Sequence, residues 1–138
     1  MQKQKNTKPK QVIGRRELVD LPELELKGIT AKIDTGAYTS TLHCEDIRIT
    51  EGKEKKLCFK VLGSSEKEIC FADFRQKKIK NSSSVAENRY VIKTKIKIAG
   101  RVIKSIISLA DRGAMRYPVL IGRKLLKNKF IVDVSIKN

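Results

Sequence analysis

Histidine occurs once in this chain of 138 residues, at His43, and cysteine three times, at Cys44, Cys58 and Cys70. One histidine cannot supply a His-Glu-x-x-His zinc helix, and the cysteines lack metal-ligand spacing, so no metal is expected. No Gly-x-x-x-x-Gly-Lys-Ser/Thr loop is present to cradle a nucleotide, and no cofactor is expected. No apolar run approaches the length of a membrane span. The basic start, Met1 to Lys10, lacks the apolar segment of a secretory signal. The expectation is a cytoplasmic protein with a disordered basic tail over 1–12, one domain over 13–138, and no membrane partner. In a reducing compartment the cysteines are expected as buried free thiols. Cys58 and Cys70 would nonetheless face each other across a hairpin turning near Ser64.

Acidic residues are also scarce: 15 against 31 Lys and Arg, a formal net charge of +16. That excess calls for an anionic partner, either nucleic acid, ribosome or an acidic polypeptide. Aromatics, at 5 %, are too few and scattered to stack on single-stranded bases. Some lysines have a simpler use, and Lys93, Lys95 and Lys97 suit the guarding of a strand edge.

The dominant hydrophobic period is two. Ile92, Thr94, Ile96 and Ile98 share one face, with Val91, Lys93, Lys95 and Lys97 on the other. An Ala99-Gly100 turn leads into a second apolar strand over 102–109. Short strands are expected near Glu23–Lys27 and, after a turn at Gly28, over Ile29–Ile33, then near Ile47–Ile49, Cys58–Leu62, Ile69–Phe74 and Phe130–Val134. Only Arg123 to Asn128 reads as helical. Short strands with polar turns indicate a small barrel or sandwich. The Lys-, Ser- and Asn-rich stretch Gln76 to Asn88 reads as a long loop, and a loop of that length is a candidate lid over a cleft.

Asp34-Thr35-Gly36-Ala37 follows the strand Ile29–Ile33, and Tyr117-Pro118-Val119-Leu120-Ile121-Gly122-Arg123-Lys124-Leu125-Leu126 reads as strand, glycine and helical turn. The pair resembles the catalytic loop and the later Gly-Arg segment of retropepsin-like aspartic peptidases. The resemblance implies an all-β, small closed acid-protease barrel with one short helix near the C-terminus. It also implies catalysis by Asp34, Thr35 and Gly36, with Gly122 and Arg123 supporting the loop. One aspartate cannot form a carboxyl dyad that shares a proton, so the implied enzyme is a homodimer with one Asp34 per chain. In retroviral members acidic residues follow the loop and pair with the arginine. Here Tyr38, Thr39 and Ser40 stand in their place, so Arg123 is expected to form an ion pair elsewhere, with Glu17 or Asp111 as candidates, or else to face substrate.

Longer strings sharpen the likeness. Ile13-Gly14-Arg15-Arg16-Glu17-Leu18-Val19-Asp20-Leu21-Pro22, Ala31 through His43, Arg89–Thr94 and Ser108–Pro118 look like the family labelled ATP-dependent zinc proteases, whose fold resembles retropepsin. The resemblance implies a peptidase for glutamate-rich peptides, α-linked glutamate tails on ribosomal protein, and a neighbouring ATP-grasp glutamate ligase as a partner. Neither the label's zinc nor its ATP is supported by any motif above. Arg15, Arg16, Ala37, Arg89, Arg112 and Arg116 are the candidate substrate contacts, since guanidinium matches a carboxylate bidentately. His43 is expected to be structural. The alternative reading is a non-catalytic basic β-barrel that binds ribosomal RNA or ribosomal protein.

Overall fold

The computed structural model describes residues 9–61, 64–80, 86–111 and 116–138, except for the side chains of 64–66. Its strands are β1 (Gln11–Leu21), β2 (Leu26–Ile33), β3 (Ser40–Ile49), β4 (Leu57–Val61), β5 (Ser64–Phe71), β6 (Arg75–Lys80), β7 (Ala86–Ile98), β8 (Arg101–Ala110), β9 (Val119–Ile121) and β10 (Phe130–Lys137). A 3-10 turn spans Pro22–Leu24, and one helix among the described residues, α1, spans Arg123–Leu126. The main sheet runs β10-β1-β2-β9-β3-β8-β7-β6, and a β1–β7 pairing closes it into a barrel. The hairpin β4–β5 hangs on β3. The expected all-β barrel with one short helix is therefore the observed fold.

Period two explains the core. Ile92, Thr94, Ile96 and Ile98 are buried, whereas Lys93 and Lys97 are exposed. Leu21, Leu42, Leu57, Phe59, Ile107, Val119 and Ile121 are wholly buried with them, and each large aliphatic among these contributes about 1.5–3 kcal/mol. At the tip of β7–β8, Ala99 and Gly100 both take positive φ, 51° and 79°. That is the twist-matched two-residue hairpin turn.

Four expectations need correction. The stretch Gln76 to Asn88 is largely a hairpin, with β6 and β7 in register from Arg75 opposite Val91 to Lys80 opposite Ala86; only 81–85 lie outside the described residues. An edge-to-face contact of Phe74 with Tyr90, centroids 5.9 Å apart, ties the hairpin's base. Its outward lysines masked the strand pattern, because β6 ends the sheet and such an edge is charged. Lys97 guards no such edge, being paired with Val102 of β8 and Asp20 of β1. Lys93 and Lys95 do lie where β7 has no strand partner on one side, between the end of the β6 pairing at Val91 and the start of the β1 pairing. The start of the chain differs as well. Gln11 and Val12 pair with Phe130 and Ile131 in β1, so the ordered domain begins before residue 13. Finally, antiparallel register sets Cys58 opposite Cys70 and the two form a disulfide, leaving Cys44 as the buried free thiol. Burial, and then the Asp111 charge, push the Cys44 thiol up, so it stays protonated.

Candidate active site

The loop that carries Asp34 is built almost wholly from backbone bonds. Parallel pairing sets Ala31, Lys32 and Ile33 of β2 beside Val119, Leu120 and Ile121 of β9. The Asp34 amide extends this ladder, donating to the Ile121 carbonyl at 2.8 Å. The chain then turns: the Ala37 amide donates to the Asp34 carbonyl at 3.1 Å, and the Gly36 amide to Asp34 Oδ1 at 3.2 Å. Asp34 is half-buried, while Thr35 and Gly36 are open to solvent.

A helix start leaves amide donors without partners, and here the loop supplies the acceptors. The amides of Arg123 and Lys124 donate to the carbonyls of Ala37 and Tyr38, at 2.8 and 3.1 Å, and the Gly122 amide donates to Ser40 Oγ at 3.0 Å. Gly122 has to be glycine at this spot. A Cβ there would lie 2.7 Å from the Tyr38 carbonyl oxygen and 2.8 Å from two further backbone carbons.

Arg123 forms no ion pair with Glu17 or Asp111. Its Nη1 donates to the carbonyls of Thr35 and Gly36, at 3.3 and 3.2 Å, and its guanidinium lies 5.5 Å from the centroid of the Tyr38 ring. Two carbonyl dipoles and an aromatic face thus serve where the sequence resemblance leads to the expectation of a carboxylate partner. Glu17 is taken elsewhere, accepting from the Gly14 amide at 2.7 Å and from Asn138 Nδ2 at 2.6 Å. The sequence reading missed Tyr38, and Lys124 beside it, with Nζ 5.8 Å from the same ring. The absence of an acid at position 38 was the signal that could have found them.

The candidate substrate arginines divide. Arg16 and Arg116 both act on the Tyr117 phenol. A hydrogen bond from Arg16, helped by Arg116, holds that phenol below its ordinary range. Arg15 is exposed. Arg89 is largely buried and its Nε donates to Glu87 at 2.5 Å, so its charge is already answered. Arg112 lies outside the described residues. Ala37 has its amide and its carbonyl both engaged in the loop. His43, 2 % exposed, donates from Nδ1 to the Tyr117 carbonyl at 2.7 Å, and its amide donates to the Pro118 carbonyl at 2.8 Å, tying β3 to the segment before β9.

A groove of about 570 Å³ opens beside the loop, lined by Thr35, Tyr38, Arg123, Lys124, Leu126, Lys127, Phe130 and Val132. Among the described residues, one group brings three metal-ligating side chains, two cysteines and a carboxylate, within reach of one another: Cys58, Glu68 and Cys70. It does not suit a zinc ion, because the two sulfurs are bonded to each other and Glu68 is paired with Arg48.

Comparison with known proteins agrees with this geometry. A family model described as RimB-like, retropepsin-like aspartic endopeptidase RimB, matches residues 12–138; its description names neither zinc nor nucleotide. A Desulfotalea psychrophila protein named "probable alpha-L-glutamate ligase" is 32 % identical over 134 residues, covering 93 % of this chain and 29 % of its own length. A Shewanella pealeana protein of the same name is 33 % identical over 130 residues, covering 90 % and 28 %. The chain thus spans less than a third of the length of these relatives. A crystal structure of a Legionella pneumophila protein of unknown function matches with a TM-score of 0.71 and 26 % identity, over 92 % of this chain and 95 % of that one. The chain belongs to the RimB-like family of retropepsin-like aspartic endopeptidases.

Proposed function

We propose that two copies of this chain form an aspartic peptidase that hydrolyses acidic, glutamate-rich polypeptide. The observation that carries the reading is the Asp34 loop itself. It is rigidly backed by Ile121, Gly122 and Arg123, yet Thr35 and Gly36 face solvent. A second copy could meet it there across a two-fold axis, and Thr35 would then bond across the pair of loops.

In such a dimer the two Asp34 carboxyls hold one proton between them. The ionised carboxylate takes a proton from a shared water as that water attacks the peptide carbonyl. The protonated carboxyl hydrogen-bonds the developing oxyanion, and a proton passes to the leaving nitrogen. No covalent intermediate forms, so no Ser or Cys nucleophile is required. The net charge of +16, Arg15, and the Arg16–Arg116 pair at Tyr117 suit a substrate rich in carboxylates. The name borne by the relatives suits α-linked glutamate tails as that substrate, with a glutamate ligase as a functional partner. The β6–β7 hairpin, with Lys77, Lys78 and Lys80, is the candidate lid.

The test is incubation with α-linked polyglutamate, following chain length by mass spectrometry. Shortening is expected with the native chain. In Asp34→Asn it should fall by on the order of 10³-fold, with melting temperature and dimer unchanged. Equal shortening by both proteins would overturn the reading. Binding of ribosomal RNA with no hydrolysis of any acidic peptide would favour the non-catalytic barrel instead.

A further inference from the structure

A second cavity, about 410 Å³, lies between the β7–β8 hairpin and α1, and five of its lining residues are Lys93, Lys95, Lys104, Lys124 and Lys129. Among the described residues the only acid in its wall, Glu23, already accepts from Thr94 Oγ1 at 2.9 Å. Register makes this concentration costly. Lys95 of β7 stands directly opposite Lys104 of β8, with Lys93 two residues along the same face, and like charges directly opposite across a ladder repel. Among the described residues no ion pair relieves any of the five. Edge protection accounts at most for Lys93, Lys95 and Lys104, whose stretches of β7 and β8 have no strand partner on one side. It does not account for Lys124 and Lys129, which lie on α1 and in the turn after it. Lys124 lines this cavity and also the groove beside Asp34, where it meets the Tyr38 ring. Lys124 is thus common to both hollows, and a basic track running from one to the other would end at the Asp34 loop.

We infer that this track is a docking site for an extended acidic polypeptide, which lies along β7–β8 and is led past Lys124 toward Asp34. An extended chain rises about 3.3 Å per residue and repeats its faces every second residue. A run of glutamates would thus present carboxylates at the same period as Lys93 and Lys95. Among the described residues no aromatic side chain lines the lysine cavity. In the adjoining groove the Tyr38 ring is already engaged by Arg123 and Lys124, and the buried Phe130 ring by Arg101, which favours a polypeptide over single-stranded nucleic acid. The inference rests on the acidic-substrate reading above and extends it to a site outside the arginines named there.

The experiment measures binding of a fluorescent α-linked oligoglutamate of about 20 residues, a length that spans the barrel, to the full chain carrying Asp34→Asn, so that the probe survives. Lys95→Glu is the informative variant, because the carboxylate it introduces would pair with Lys104 and leave the fold no less stable. It should weaken binding by about tenfold at low salt, the loss should shrink as salt is added, and the melting temperature should not fall. Lys104→Glu should do the same. Unchanged affinity in both variants would overturn the track while leaving the peptidase reading untouched. An RNA oligonucleotide of equal charge that binds more tightly through the same lysines would overturn the choice of partner. Lysine-dependent binding by a protein whose native form hydrolyses nothing would uphold the track and remove the peptidase reading.

Discussion

The brace behind Asp34 and the lysine face of β7–β8 handle charge in opposite ways. In the brace every strong group has an answer: Arg123 has two carbonyls and a ring, Ser40 holds the Gly122 amide, and the Ala37 and Tyr38 carbonyls cap α1. On the hairpin, Lys95 and Lys104 face each other with no acid between them among the described residues. A cation whose partners are all internal serves geometry. A cation left repelling its neighbour in the folded chain is satisfied only by something outside it. Position in the barrel follows the same division, since the brace joins strands distant in sequence and the lysines sit on a local hairpin.

The largest expected effect comes from breaking the brace. Gly122→Ala puts a methyl group against three backbone atoms that cannot rotate away, and such overpacking costs about 1–3 kcal/mol. Urea unfolding should show that loss, and hydrolysis should fall further than the stability change explains, because the displaced segment is the one that holds Asp34. A variant of normal activity and stability would mean that the loop tolerates a shift of its backing.

Next in size is the arginine pair. Arg116→Ala should weaken glutamate-rich substrates by about 1–3 kcal/mol in transition-state binding, the scale of a charge-assisted hydrogen bond. It should also let the Tyr117 phenol rise toward its ordinary range, readable by ultraviolet titration, since Arg116 is one of two cations holding it down. A raised phenol with unchanged kcat/KM would make the pair structural, on the same footing as the brace.

These contrasts were unevenly legible in the sequence. The loop at Asp34-Thr35-Gly36 and its backing by Gly122-Arg123 could be read because a tight turn and close backbone approach restrict residue type at fixed positions. The β7–β8 hairpin could be read because its alternation is unbroken from Ile92 to Ile98 and a turn follows. β6 could not, because an exposed edge strand carries lysines where an alternating pattern needs apolar residues. The real partners of Arg123 are main-chain carbonyls, which leave no mark on the sequence. The Cys58–Cys70 bond depends on strand register, and spacing only makes that register conceivable. Arg16 and Arg116 lie far apart in the chain, and only the folded barrel brings both to Tyr117.

Lys95→Glu should raise stability by about 0.2–1 kcal/mol, turning a repelling cross-strand pair into an attracting one. The gain should shrink in high salt, because both partners are at least partly solvent-exposed. A loss of stability would show that Lys95 has an internal partner after all, and the contrast with Arg123 would disappear.

The smallest effect lies at the tip of the same hairpin and separates charge from backbone. Ala99 holds φ at 51°, a left-handed conformation that penalises a Cβ, beside Gly100 at 79°. Asn-Gly is the favoured pair for this turn, because the asparagine side chain bonds locally and tolerates that conformation. Ala99→Asn should therefore stabilise the chain by about 0.5 kcal/mol. The Ala99 carbonyl, which accepts from Gln11 Nε2 at 2.9 Å, is main-chain and survives the change. Unlike the gain from Lys95→Glu, this one arises from backbone preference and should be the same at low and high salt. Urea midpoints for both variants at two salt concentrations make the comparison. If the Ala99→Asn gain vanished with salt, or if the Lys95→Glu gain ignored it, the hairpin's lysines would not be the strained element proposed.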